Sequence, residues 1–498
     1  MRCVGPSSEV LVWLVGVLTL GACGPAEGGF GPEYQHARVR QHELRPDSSD
    51  PHLGLGYEGA AAASYATPGG AFRIWWATSG RHAPPLADVQ PANGVPDHVE
   101  MVGRIADEVS EHALAQGWEL ALSDDQIAVP FATGGDGRFD IYLIDFGGGS
   151  DGLLARNGCA VIDGVEACTA HILIENDFAG YAYPSLEEAV RVLVSHEYFH
   201  AIQAAYTQEL EPWASEGTAT WFEEDYYPAQ SDFERLANRF FQDNERSLNA
   251  RSQGPFDGFT YGASIFFRYL DLQWGPETIR LMFEGMRGGA DVYSAIDAAI
   301  RERGGEGLED AFMGFAAQNG FTGSRARTDT GYPAADRYAD VRRAEYDASG
   351  GLNWDVSLEP WTAQYALLEV SGPVTLALED APESARVLAL TGPQDYVSIA
   401  PGAPVGVEGR SGVLYVAVVN PDPSADAFFR VAVRNDDGVR IGDGHGGLEP
   451  SDGSGGGCTQ TPRGTPRAPS WLVLAFLGLA ALRRRGPATH RDTIGGPP

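Results

Sequence analysis

Apolar residues recur with two different periods along this chain, and the change of period divides it. Between Ser185 and Tyr206 the residues Leu186, Ala189, Val190, Leu193 and Val194 repeat at three- and four-residue steps. No proline or glycine interrupts the run, so one helix is expected. Ser185 with Glu188 three residues on is a capping box that would start it. Further helices are expected near 213–224, 232–243, 261–273, 277–286, 291–302 and 307–318, several ending at glycine. From 353 to 437 the period drops to two. YALLEV, VTLALED, ARVLAL, VLYVAVV and FFRVAVRN read as short strands split by Gly/Pro turns, a small antiparallel β-sandwich. Upstream, a mixed α/β subdomain is expected. Its strands are AFRIWWAT (Ala71 to Thr78), DQIAVPF and RFDIYLIDF with GGDG as the turn between them, and AHILIEND (Ala170 to Asp177). Its helix runs from about Asp97 to Gly117, with Val99, Val102, Ile105, Ala106 and Val109 on the apolar face.

These patterns set the domain boundaries. Residues 24–69 are Gly/Pro/charged and aperiodic, a linker or prosegment. Residues 70–184 form the α/β subdomain, 185–330 the helical subdomain, 331–352 a linker, 353–437 the sandwich, and 438–469 a Gly/Ser/Pro linker. The chain has 498 residues and a formal net charge of −33, with no lysine among its 35 basic residues. That charge argues against nucleic acid as a partner, because phosphate binding needs a basic face. A monomer is expected.

Both ends carry targeting signatures. Arg2 precedes an apolar run, Val10 to Leu20, too short to span a bilayer, so 1–23 reads as a signal peptide. It ends in LGAC. Either Cys23 is the lipidated cysteine of a lipobox or cleavage falls near Ala22. At the other end DGSGGGC, with Cys458, leads to the apolar segment Trp471 to Leu482 and then Arg483, Arg484 and Arg485; residues 486–498 follow as a tail. The segment 470–485 resembles the MYXO-CTERM sorting signal, which implies processing near Cys458 and surface display. The other reading is a marginal membrane anchor with basic stop-transfer residues. Export to the outer envelope, the cell surface or the medium is expected, with anchoring through the termini. Cys159 and Cys168 flank AVIDGVEA, a short loop that an oxidising compartment would keep closed, so a disulfide is expected there.

Chemistry concentrates in SHEYFHAIQ, residues 195–203. His196 and His200, four apart on a helix, point the same way, with Glu197 beside the first. A hydrolytic zinc site needs a third protein ligand and one open position. The following helix, WASEGTATWFEE, offers Glu216, Glu223 and Glu224. Glu216 lies sixteen residues after His200, room for one turn and an antiparallel return with Pro212 at the helix start. Gly217 and Ala219 would let this helix pack close to the first. Thr220 and Glu223 lie a turn further on, within reach of the ligands for supporting hydrogen bonds.

H-E-x-x-H followed by W-x-x-E-G-x-A-x-W resembles the gluzincin branch of zinc metalloproteases, with thermolysin-like and peptidase MA-like families as relatives. NGVPDHVE and GRFDIYLIDF also resemble segments of secreted metalloproteases of myxobacteria. The resemblance covers about residues 70–320. It implies a zincin-like domain, which together with the sandwich that follows makes the fold α+β, and a Zn2+-dependent peptidase acting on protein or peptide substrates. It implies His196, His200 and Glu216 as ligands and Glu197 as general base. Peptidase MA-like proteins carry a tyrosine in a context like that of Tyr261, which is therefore read either as an oxyanion donor or as a core aromatic beside Phe259. The rival reading is a non-catalytic adhesion protein on a zincin scaffold, which would have no need of Glu197.

Two other motifs are weighed. Asn93, Gly94, Asp97 and Glu100 fit the later positions of a Ca2+ loop, but Val89 and Pro91 stand where its first carboxylates belong, so a capped turn into a helix is favoured. GGGSDG, 147–152, lacks the G-K-[ST] of a phosphate loop and reads as a flexible loop near the cleft.

Overall fold

Alternation in FRIWWA places Phe72, Ile74 and Trp76 on one face of a strand, and all three are buried. The computed structural model describes residues 45–46, 57–129, 133–162, 164–228, 232–254, 256–410 and 412–435. Its first sheet comprises β1 (Ala62–Ala66), β2 (Phe72–Ala77), β3 (Phe139–Ile144), β4 (Gly152–Ile162) and β5 (Val165–Glu175), in the order β1-β2-β3-β5-β4. β2, β3 and β5 run parallel, with Phe72 opposite Phe139 and Ile141 opposite Ile172. β1 and β4 are antiparallel edges. Helix α1 (Asp97–Ala115) lies between β2 and β3 in sequence and packs the expected apolar face, Val99, Val102, Ile105, Ala106 and Val109, into the core. Cys159 pairs with Cys168 across β4 and β5, and the two form a disulfide.

Helices follow: α2 (Leu186–Tyr206), α3 (Pro212–Tyr226), α4 (Asp232–Gln242), α5 (Gly258–Gly262), α6 (Ser264–Trp274), α7 (Glu277–Arg287), α8 (Val292–Glu302) and α9 (Leu308–Asn319). Two sheets then face each other. One is β11 (Tyr396–Ile399), β10 (Arg386–Leu390), β13 (Val413–Asn420), β8 (Thr362–Glu369) and β6 (Arg343–Asp347). The other is β12 (Val405–Val407), β9 (Val374–Glu379), β14 (Ala427–Asn435) and β7 (Leu352–Leu358). Val387, Val416, Val418, Leu376, Val431 and Val433 fill the space between them. The chain is thus α+β, as expected. Among the described residues no helix is long and apolar enough to cross a membrane.

Several expectations need correction. DQIAVPF forms no strand over its described residues, and GGDG leads into β3 rather than joining two strands. The stretch 331–352 is no free linker: Tyr332 is fully buried and donates to Asn319 Oδ1 at 2.8 Å, and β6 starts the sandwich at Arg343. β6 runs parallel to β8, so the sandwich is not wholly antiparallel. Its first sheet also packs outward. Tyr365, Leu390, Tyr415 and Val419 join the core of the helical half, and Tyr365 Oη donates to Ala316 O at 2.8 Å. The expected helix 261–273 is broken into α5 and α6 at Ala263. The terminal segments, with Cys23 and Cys458, lie outside the described residues.

The stretch 24–69 is also more than a linker, since it carries β1 and Arg45. The Arg45 guanidinium lies buried on the sheet face away from α1, 2.5 Å from Asp140 and 2.6 Å from Asp124, and it donates to Tyr142 Oη at 2.9 Å. Trp75 Nε1 and Asn157 Nδ2 complete the two carboxylates. Removing one partner of a buried ion pair strands the other. Arg45→Ala is therefore expected to cost about 3–5 kcal/mol, read as a lower urea midpoint with unchanged slope. An unchanged midpoint would remove Arg45 from the fold.

Candidate metal centre

Helix α2 carries the site. The Ser185 hydroxyl accepts from Glu188 N at 3.1 Å, the expected cap. The helix is buried on nearly all sides from Ala189 onward, which fixes its rotation. The four-residue step brings His196 Nε2 and His200 Nε2 to 3.0 Å. Pro212 starts α3 at its first helical position, and the return of this helix sets Glu216 Oε2 at 3.2 Å from His196 Nε2 and 3.3 Å from His200 Nε2. Among the described residues these three form the one cluster of histidine, cysteine or acidic side chains able to share an ion.

Supporting bonds orient the two rings. His196 Nδ1 donates to Glu223 Oε1 at 2.5 Å, and His200 Nδ1 donates to Gln203 Oε1 at 2.9 Å. Gln203 Nε2 in turn donates to Ser215 O and Thr218 Oγ1, both at 2.9 Å, so it also ties α2 to α3. An imidazole that donates through Nδ1 presents a lone pair at Nε2. Two such lone pairs and a carboxylate oxygen meet here, the donor set a divalent cation satisfies. The residues therefore fit a metal ion.

The same contacts set the electrostatics. Burial pushes the Glu216 carboxyl up, but His200 and His196 outweigh it and hold it well below the usual carboxylate range. Burial pulls His196 down, and Glu216 and Glu223 outweigh it in the other direction. Glu197 stays out of the cluster. It is 7% exposed, and burial raises its carboxyl against the pull of His196 and His200. Glu223 is pushed up to about 7 by burial.

Two connected cavities open on this cluster. The larger, about 440 Å³, lies between the edge strand β4 (Gly152, Leu154, Arg156) and His196, Glu197, His200 and Glu216. The smaller, about 190 Å³, shares Ser150, Gly152, His196, Glu197, Phe256 and Tyr261 with it. Tyr261 is no core aromatic: its ring stacks beside His196 at 5.8 Å, while the neighbouring Phe259 fills the core against Phe240. Burial, joined by Glu216, Glu197 and Asp151, raises the Tyr261 hydroxyl well above its ordinary value, so it stays a donor. Gly262 seats α5: a Cβ there would stand 2.4 Å from Leu236 O.

Other expectations divide. Glu223 reaches His196, whereas the Thr220 hydroxyl is buried without a partner among the described residues. Gly217 serves a close approach to Phe267 of α6. Glu224 lies outside the cluster, and burial pushes its carboxyl up to about 7. Near the proposed Ca2+ loop, Asp88 accepts from the amides of Asn93 and Gly94, Asp97 accepts from those of Val89 and Gln90, and Asn93 Nδ2 donates to Glu100. That is a turn closed by its own bonds. GGGSDG runs into β4, and its Ser150, Asp151 and Gly152 line the smaller cavity. Gln203, Asp151 and Tyr183 had no role from sequence. Gln203 at the third position after His200 was the one available signal.

A Cβ at Gly152 would stand 2.6 Å from Glu197 Oε1 and 2.8 Å from Leu193 Cδ1. Gly152→Ala is therefore expected to displace Glu197 or strain β4, lowering stability by about 1–3 kcal/mol, the usual cost of overpacking. The urea midpoint checks this, and an unchanged midpoint would show that β4 yields. No protein-family model matches the chain, and no curated protein matches it in sequence.

Proposed function

We propose that this chain is an exported zinc-dependent metallopeptidase of gluzincin type, probing extended peptide substrates with a zincin-like domain. The observation that carries the reading is the meeting of His196 Nε2, His200 Nε2 and Glu216 Oε2 on an open cleft, with Glu197 beside them and outside the ligand set. The His2Glu set suits zinc, leaving a position for water. The disulfide supports an oxidising compartment.

When bound, the ion would lower the pKa of a water and polarise the scissile carbonyl. Glu197 accepts the proton of the attacking water and passes it to the leaving amine. Its carboxyl is buried and faces both cavities, where the attacking water and the leaving amine would lie. Tyr261 donates its hydroxyl to the oxygen on which charge develops. Among the described residues β4 is the edge strand of its sheet, and it lines the cleft, a position suited to the addition of an extended chain as a further strand.

Tyr261→Phe is expected to lower kcat about 10²- to 10³-fold with metal content and KM little changed. A normal kcat would assign the donation elsewhere. The function itself is tested by incubating the purified chain with casein and sequencing new amino termini. Cleavage blocked by a zinc chelator is the expected result. Intact casein under all metal conditions would leave the adhesion reading in its place.

A further inference from the structure

The smaller cavity is a recess off the main cleft, and its walls have two characters. Val192 and Leu193 of α2, and Leu236 of α4, are apolar. Its polar lining carries an acidic excess. Asp151, Glu197, Glu223 and Asp232 face it, against Arg235 and the ring of His196 among the described residues. Arg235 is already held by Asp232, through Nε at 2.7 Å, and most of its side chain is exposed.

A second observation points to a missing partner. Glu223 is 3% exposed, and its Oε1 accepts the hydrogen bond from His196 Nδ1. Its other oxygen, Oε2, is buried and accepts no hydrogen bond from the described residues. Glu223 lines the recess and not the larger cavity. A buried acceptor with no donor carries a desolvation cost that a ligand's N–H groups would relieve. Asp151 stands in the same wall, fixed by the Tyr183 hydroxyl, which donates to its Oδ2 at 2.7 Å. Because Tyr183 is a donor, it keeps Asp151 as an acceptor aimed at the recess.

A side chain that satisfies such walls has an apolar stem and a cationic head with several donors. Arginine and lysine have that form: the methylenes lie along Val192 and Leu193, and the head meets Glu223 Oε2 and Asp151. We propose that the recess is a specificity pocket for a basic side chain of the peptide substrate, at a residue next to the scissile bond, with Glu223 Oε2 and Asp151 as its acceptors. The assignment to a substrate rests on the peptidase reading above. The affinity of the recess for a guanidinium does not.

Two measurements on the full chain test it. The first is a panel of quenched peptides that varies the two residues flanking the cleaved bond. The expected profile favours arginine or lysine over leucine and glutamate by about tenfold or more in kcat/KM at one of those positions. Asp151→Asn, which can still accept from Tyr183, should lower the arginine-to-leucine ratio by about tenfold. A ratio is immune to a partial loss of folded protein. Cleavage with a preference for leucine or glutamate at both positions would overturn the pocket and leave the peptidase reading standing. The second measurement is binding of n-butylguanidinium, followed by protein NMR in zinc-loaded and zinc-stripped Glu197→Gln protein. Shifts confined to residues of the recess in both forms, and lost in Glu197→Gln/Asp151→Asn, are expected. If no peptide is cleaved, the peptidase reading falls, and this binding decides the pocket alone: absent shifts would overturn it.

Discussion

Glutamine at position 197 is expected to leave about one zinc per chain in place and to lower kcat/KM about 10²- to 10⁴-fold, the usual contribution of a positioned general base. The residue is next to His196 in sequence, yet its carboxyl stands outside the three-atom cluster and faces both cavities. An amide of the same shape fills the same space beside Gly152 and Leu193, so the fold and the ligands have no reason to change. What it loses is the capacity to take a proton. The effect should therefore fall on kcat with metal content constant. A Glu197→Gln variant with normal turnover would separate the site from hydrolysis and put the adhesion reading in front.

The second large effect concerns the ligands themselves. His200→Ala removes one of three donors and also releases Gln203, whose amide joins α2 to Ser215 and Thr218 of α3. Zinc held by two remaining protein ligands is far weaker than the three-ligand arrangement of catalytic sites. The variant is expected to purify with no zinc and no activity. Glu216→Gln keeps the shape but replaces a charged oxygen by a neutral one, and a smaller loss of affinity follows. Metal analysis after dialysis reads both. Full zinc occupancy in His200→Ala would show that the ion sits elsewhere.

How much of this was legible depended on whether a residue's role is local. His196, Glu197 and His200 could be read because a helix converts a four-residue spacing into a shared face, and the apolar repeat from Leu186 announced the helix. Glu216 and Glu223 were legible through their own helix and the short return that Pro212 starts. Gln203 sits three residues after His200 on the same helix, but its ties to Ser215 and Thr218, like the place of Asp151 beside Tyr183, come only from the tertiary fold, so no period marks them. The same holds for Arg45, a charged residue in an aperiodic stretch whose partners are 79 and 95 residues away. β4 escaped notice because its burial is mostly partial, as suits an edge strand, and its apolar residues do not alternate cleanly. DQIAVPF misled for the opposite reason: β-branched and aromatic residues suggested a strand, but of its described residues only Ile127 is buried.

The central claim is that one zinc, held by His196, His200 and Glu216, makes this chain a peptidase. The most direct measurement strips the purified chain with a chelator, removes the chelator, and follows casein hydrolysis as zinc is returned in steps. The account predicts no hydrolysis in the stripped chain and recovery in proportion to added zinc, ending at about one equivalent per chain. Undiminished hydrolysis in the stripped chain, or zinc uptake to one equivalent with no hydrolysis at any step, would contradict it.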